Sequence, residues 1–513
     1  MKKRKIALAL ASTLALSMLA TACGDDGKDN SKRFIVDLGS LMPTENTTAS
    51  VDNPEVIQAS RYIAEAYKEE KGLSIEWATN YGRNISDNLE ATAGWYGNMI
   101  NSNRCPVIGF TSLNAYQDRD YYIVLDEYLE RPNPYVPAGE PGSVHWKDMF
   151  YDYVWDSASI KNVKGEVVAI PILLSAGAQT GIFYNKDLIE KRDIPDNWQD
   201  FTELMKDIND DEDYRSFQPY NGYTTPGLYQ WAMEFSLTPN VLKWMTEEES
   251  SFNIDYDKDG TLTSLEVLRG VMEGKFDPTK EGPAQAVYNL AYDYYVEALP
   301  HGWGTYTYKT AWDEGSLAMW DNGIWNVPME NSNVNREFEY GIFLTPLADS
   351  TTDGLEDYAV ETEYYKNFDE VECPVSVALN VMKPAVKNDP EKLEKAIDFL
   401  MYLTTVDNIS DIANEKGGTK GAVKGSSYYE MLDEDGNDIG WTKQDFPKVS
   451  YSAAWPTGYT SLQSQNINDQ FAKWVDGNCT NAQFYAKVKE QQKIGAEAYI
   501  EQFNIDTTGW DIK

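Results

Sequence analysis

Apolar residues along this chain fall into two spacings, short β-rich runs and stretches with a helical repeat. Residues 33–41, RFIVDLGSL, predict a first buried strand, followed by a loop rich in Pro, Thr and Asn. Residues 53–72 carry Val56, Ile57, Ser60, Ile63, Ala64 and Tyr67 at helical spacing and reach Gly72, a helix stop. LSIEWAT (73–79) predicts a strand again, and PVIGFT (106–111) and YIVLDEYL (122–129) mark later elements. VKGEVVAIPI (163–172) has the form of a hairpin-like pair leading to Pro171. The following GIFYNKDLIEKRDIPDNWQDFTELMKDIND predicts a strand and two helices separated by Ile194-Pro195. Recurrence of strand, helix and strand predicts an α/β fold with a largely parallel sheet in the first part of the chain.

The first 22 residues combine a basic MKKRK start with the apolar run IALALASTLALSMLA, too short and too soon polar to be a stable membrane span. Small residues in TAC precede Cys23, so the segment resembles a bacterial lipoprotein signal whose cysteine becomes the lipidated first residue. Ala20 stands where such signals usually carry Leu, and an ordinary cleaved secretion signal remains the alternative. Residues 1–22 are therefore expected to be signal and 23–33 a flexible polar tether, with the protein on the extracellular face of a membrane.

Composition narrows the function. Aromatic residues make up 13% of the chain, including 34 Tyr and 15 Trp, which points to an ordered protein with many rings to place. The net charge of −38 repels phosphate backbones, so nucleic acid is not expected as a partner. Cys105, Cys373 and Cys479 are far apart and odd in number, which fits buried thiols or a single bridge and no metal knuckle. His145 and His301 are the two histidines, and no HExxH, GxSxG or phosphate-cradling loop stands in context.

One motif carries chemistry by spacing alone. In residues 253–266, NIDYDKDGTLTSLE, loop positions 1, 3, 5, 6, 7, 9 and 12 are Asp255, Asp257, Asp259, Gly260, Thr261, Thr263 and Glu266. This is the pattern of an EF-hand loop, in which hard oxygens surround Ca2+, the position-7 carbonyl and the position-9 side chain or its water included. The alternative is a solvated Asp-Gly turn before a helix starting near Thr263. The other acidic turn, DEDGND (433–438), lacks the Gly spacing and the final Glu and fits a hairpin turn, so a paired calcium sensor is not supported.

Three stretches carry a family resemblance. Gly181-Ile182-Phe183-Tyr184-Asn185-Lys186-Asp187-Leu188-Ile189 with Pro195 and Trp198, then AWDEGSLAMWDNGIWNV (311–327), then PEKLEKAIDFLMYLTT (390–405) with GTKGAVKGSSYYE (418–430), follow the family's order. Together they resemble extracellular solute-binding proteins of bacterial carbohydrate ABC importers, the group containing maltodextrin- and alginate-binding proteins. Cys105-Pro106-Val107 departs from the family's frequent Pro-Asp, so no acidic sugar ligand is transferred there. The resemblance implies a type 2 periplasmic-binding fold, two α/β lobes with the ligand cleft between them. It places residues 34–172 and 377–422 in the N-lobe, and 173–376 and 423–513 in the C-lobe.

The implied function is non-catalytic capture of an oligosaccharide, handed to ABC permease subunits by a monomeric lipoprotein. Planar rings stack on sugar faces at low entropy cost, and fixed polar groups meet the hydroxyls. Trp325 matches the family's stacking ring, and Trp455 lies where relatives often place another. Trp303 and Tyr306 sit in a Gly-broken loop, and Trp95 and Tyr96 in a second; core packing is the alternative for all of them. Ser175 and Gln179 follow a predicted strand and are candidate hydroxyl partners. The competing function is a secreted glycoside hydrolase with a carboxylate pair, which the 82 acidic residues allow but nothing marks. Alginate-binding relatives carry a calcium loop in the same lobe, so Ca2+ at residues 255–266 is expected to be structural.

Overall fold

The computed structural model describes residues 33–43, 58–84, 89–110, 121–162, 164–175, 180–190, 193–211, 213–220, 226–227, 230–258, 260, 262–303, 308–359, 364–365, 375–430, 432, 443–444, 455–456, 458–459 and 461–513. The signal, Cys23 and the tether up to Lys32 lie outside them, as do Tyr306, Gln179, Asp259, Thr261 and Cys373. Among the described residues no helix is long and apolar enough to cross a membrane.

The strands in chain order are β1 (Ile35–Val36), β2 (Glu76–Trp77), β3 (Ile108–Phe110), β4 (Ile170–Ser175), β5 (Thr180–Asn185) and β6 (Arg215–Gln218). They continue with β7 (Leu317–Gly323), β8 (Tyr340–Phe343), β9 (Tyr364–Tyr365), β10 (Val375–Val381), β11 (Thr419–Gly421) and β12 (Lys443–Gln444). The chain forms two compact units. Unit 1 holds the residues up to Pro43 with Ile57–Ile172 and Val377–Asn408, and unit 2 holds Leu173–Ser376 and Ile409–Lys513.

In unit 1, β1 pairs in parallel with β2 and β3, through Val36↔Trp77 and Val36↔Ile108. β10 then lies antiparallel on β3, with Asn380 opposite Gly109. The predicted helix before β2 forms as Ala59–Lys71, burying Ile63, Ala64 and Tyr67 on one face. It stops at Gly72, whose φ of 71° is the left-handed cap that an L side chain disfavours.

Unit 2 has the strand order β6-β7-β5-β8. β5 is antiparallel to both β7 and β8, and only β6 runs parallel to β7. A largely parallel sheet is thus the geometry of part of unit 1 and not of unit 2. Runs such as Leu317–Gly323 are buried along their whole length, so their composition does not reveal strand direction. The stretch after β5 yields one helix, Trp198–Asn209, capped by the Asn197 side chain accepting from the Asp200 amide at 2.9 Å. The first of the two expected helices is a turn instead, because the Asn185 side chain takes the Asp187 amide at 2.9 Å and closes an Asx turn.

The core of unit 2 packs Tyr184, Trp198, Phe201, Phe217, Tyr294 and Phe343 over one face of its sheet. Unit 1's return segment ends at Asn408, where sequence alone placed the boundary at 422. A Cβ at Gly421 would lie 2.2 Å from Ile409 Cγ2, so β11 packs closely on the helix Val406–Lys416.

Candidate functional site

Three aromatic rings of unit 2 meet at the end of β7. Trp325 follows it on the single turn Ile324–Asn326, Trp231 opens the helix Trp231–Thr246, and Tyr220 stands two residues beyond β6. Tyr220 and Trp231 stack with centroids 3.7 Å apart and planes 16° apart. Trp325 stands across this pair, 5.7 Å and 78° from Trp231 and 6.5 Å and 75° from Tyr220. The three rings form two walls of a box, and all are only half-buried.

Glycine makes the box possible. At Gly323 a Cβ would fall 2.3 Å from the Trp325 indole, so the ring lies directly on the strand backbone. Gly418, with φ of +57°, approaches the Trp325 backbone so closely that a Cβ would lie 2.7 Å from its nitrogen.

Side chains alternate along a strand, so Asp321 shares with Gly323 the face on which Trp325 rests. One Asp321 carboxyl oxygen, Oδ2, accepts the Ala232 amide at 3.0 Å, and the Tyr220 amide also donates to the carboxyl. The other, Oδ1, is buried and finds no partner among the described residues. Burial dominates over these two donors and pushes the group from 3.8 up to about 8, so it is a neutral acid at pH 7. A neutral carboxyl can both donate to and accept from a hydroxyl. Gln230, beside Trp231, accepts from Tyr294 Oη at 3.0 Å, while its Nε2 has no partner among the described residues.

Residues 124–435 match the model of the family described as bacterial extracellular solute-binding protein. The chain belongs to that family. No curated protein matches it. Among solved structures it is similar to one from work on xylan utilization by the thermophilic bacterium Caldanaerobius polysaccharolyticus, at 15% identity and a TM-score of 0.50. The similarity covers 85% of this chain and 96% of that one, and it shows the fold. A family 1 extracellular solute-binding protein from Bifidobacterium longum subsp. infantis matches over the same shares at 13% identity and a TM-score of 0.47.

In this solute-binding protein the expected ring positions divide. Trp325 stands in the box, whereas Trp455 does not reach a surface. It is 2% exposed, its Nε1 donates to Tyr288 Oη at 3.2 Å, and Phe252 and Phe276 flank it at 5.9 and 5.3 Å. Trp455 is a core residue of unit 2, which corrects the expectation drawn from where relatives often place a stacking ring. Trp303 is also buried, tilted against Tyr295 at 5.6 Å. Tyr96 is buried with its hydroxyl committed to Asp37 Oδ2 at 2.7 Å, so its ring cannot stack on a solute. Its neighbour Trp95 is half-buried, with Nε1 donating to the Tyr81 carbonyl at 3.0 Å. Ser175, half-buried at the end of β4, pairs with Thr419 of β11.

Tyr220, Trp231 and Asp321 were not found from sequence. Trp231 has no motif around it, but Asp321 sits between Trp320 and Asn322 inside a fully buried strand, an uncommon place for a carboxylate and the available signal. In unit 1 a comparable polar cluster stands at the C-terminal end of β1. Asp37 is fully buried, paired with Arg83 Nε at 3.2 Å and receiving the Gly39 amide at 2.9 Å.

The loop at 255–266 holds together as an oxygen cluster. One carboxylate oxygen each from Asp255, Asp257 and Glu266 lie within 4.8 Å of one another, close to the span of two Ca–O bonds of about 2.4 Å set end to end. Gly260, with φ of +75°, donates its amide to Asp255 Oδ2 at 2.9 Å and closes the turn. Thr263 caps the helix Ser264–Met272 in a reciprocal box, its side chain accepting from the Glu266 amide and Glu266 Oε2 accepting the Thr263 amide at 2.8 Å. Glu266 Oε1 takes the Tyr256 amide at 2.8 Å, so the position-12 carboxylate is held toward the loop. Three converging carboxylates fit a hard divalent ion.

Proposed function

We propose that this protein captures a sugar, most simply a neutral oligosaccharide, for an ABC importer, without chemically altering it. The box of Tyr220, Trp231 and Trp325 beside the neutral acid of Asp321 carries this reading. One ring surface can stack on a face of a pyranose while the other, at right angles to it, meets the sugar's edge, and a buried carboxyl with a spare oxygen meets a hydroxyl. An anionic sugar would meet a chain of net charge −38 and a carboxyl that ionisation would make repulsive, so a uronate is disfavoured.

The test is a glycan panel followed by calorimetry and tryptophan fluorescence, with Trp231→Ala and Trp325→Ala beside the unaltered protein. A glycan bound by the parent and weakened in both variants, with no reducing ends released, supports the proposal. Binding that both variants leave intact would overturn the site, and release of reducing ends would favour a hydrolase.

Cys23 is proposed as the lipid attachment that keeps the protein at the outer membrane face, and permease subunits as the partners that receive the sugar. Asp255, Asp257 and Glu266 are proposed to hold Ca2+, with Asp259, the Thr261 carbonyl and Thr263 completing the loop sequence. When bound, the ion would neutralise the converging carboxylates and stiffen unit 2. Mass-spectrometric detection of diacylated Cys23 and calcium titration of the purified protein test these two assignments.

A further inference from the structure

Gln230 stands immediately before the helix Trp231–Thr246, at the position from which a side chain ordinarily closes onto the first free amides of a helix. It makes no such bond. The Ala232 amide is taken by Asp321 of β7 instead, through Oδ2 at 3.0 Å. Released from capping, the Gln230 carboxamide accepts from Tyr294 Oη at 3.0 Å through Oε1. That bond settles which end of the amide is which and leaves the Nε2 donor over.

Gln230 and Asp321 lie on the same face of the unit 2 sheet. Tyr294, which holds the Gln230 amide, stands 6.5 Å from Phe217, and Phe217 pairs with Met319 across the parallel strands β6 and β7. Asp321 is the next residue of β7 on the Met319 face. Both residues are 1% exposed, and each keeps one polar atom, Gln230 Nε2 and Asp321 Oδ1, with no partner among the described residues. The large majority of buried side-chain polar atoms in folded proteins are paired, so two beside one helix start mark a place for polar groups from outside the chain. The C-terminal ends of parallel strands, where β6 and β7 bring them, are where α/β sheets hold their ligands.

We infer that Gln230 and Asp321 together hold two neighbouring hydroxyls of one sugar residue, so that the site selects a sugar with a free vicinal diol. The inference rests on the aromatic box being the sugar site. Trp231 follows Gln230 in the chain, and Trp325 lies on Gly323 of the Asp321 face, so a sugar stacked on either ring turns its edge toward the pair. One hydroxyl accepts from Nε2, its neighbour pairs with Oδ1, and each hydroxyl can bond to the other as well. A deoxy sugar leaves a buried polar atom unpaired, and an O-methyl sugar cannot donate and adds bulk. A solute that offers only a flat apolar face gains the rings and loses the pair.

Calorimetry with xylobiose, cellobiose, maltose and mannobiose, and with any further glycan the panel returns, tests the inference when each is set beside its per-O-methylated and monodeoxy forms. For a sugar that binds, the per-O-methylated form is expected not to compete. Two monodeoxy forms, altered at adjacent carbons, are expected to lose about tenfold or more each, and the remainder little. In Gln230→Met the free sugar should weaken by about tenfold, and one of the two deoxy penalties should shrink to within about twofold while the other persists. A merely structural Gln230 would weaken every form alike and leave the pattern of penalties untouched, which overturns the inference. Should the variant not fold, the monodeoxy series on the unaltered protein decides: penalties at separated carbons, or none, overturn it. If Trp325→Ala still weakens binding in those cases, the sugar site stands without this pair. Silence across the whole panel removes the sugar reading and this inference together.

Discussion

Gly323→Ala is the sharpest probe of the box, because it moves one ring and little else. Gly323 has φ of −67° and ψ of 131°, extended geometry that alanine adopts without strain. The added methyl would nevertheless fall 2.3 Å from the Trp325 ring. Ordinary carbon contacts are about 3.5 Å or longer, so the indole must withdraw by roughly 1.2 Å. Withdrawal loosens the contacts with Trp231 and Tyr220, each worth about 0.5–1.5 kcal/mol beyond buried area, and misplaces the stacking face. A loss of about 1–2 kcal/mol in sugar binding follows, or roughly 5–30-fold in Kd. Trp325 is half-buried and can swing outward, so the melting temperature should fall by only a few degrees. Calorimetric titration with a glycan bound by the parent, and a thermal melt of each protein, give both quantities. Unchanged affinity in a folded variant whose Trp325 emission has shifted would refute the assignment of this ring to the sugar.

Trp455→Ala should act in the opposite way, costing about 3–5 kcal/mol of stability by emptying a core position. Measured well below its lowered melting temperature, glycan affinity should stay within about twofold of the parent. Asp321 makes stability depend on pH. Its folded value of about 8 lies above its ordinary 3.8, so its contribution is fully present below about 4 and is lost as pH rises through about 8. Asp321→Asn keeps an acceptor for the Ala232 amide and should therefore gain stability relative to the parent across that window, read from melting curves at stepped pH. Calcium should raise the melting temperature reversibly, with the rise abolished in Asp255→Asn, Glu266→Gln; a chelator that removes glycan binding from a still-folded protein would contradict a structural role.

The strand beginning at Ile35 and the helix ending at Gly72 could be read from sequence because each has a local cause. Periodicity sets the helix and the missing Cβ sets its stop, whereas Trp325 was singled out only by its resemblance to the family's ring. Trp231 and Tyr220 were hidden because their partnership joins the start of a helix to the end of a strand, a contact that no single window of sequence contains. Trp455 misled for the converse reason. The resemblance places it by its position along the chain, yet Phe252, Phe276 and Tyr288 are supplied by other segments that enclose it. The direction of the unit 2 strands was equally non-local.

The antiparallel pairing of β10 with β3 has a consequence for how this chain is made. Asn380 stands opposite Gly109, so the sheet of unit 1 waits for some 271 residues of further synthesis before its inner strand β3 is covered. At about 5–20 residues per second that interval is roughly 15–55 s. Throughout it β3 presents an open hydrogen-bonding edge and the unit cannot close around its core. For a protein of an extracellular family, this ordering of segments is itself a delay before folding, written into the path of the chain.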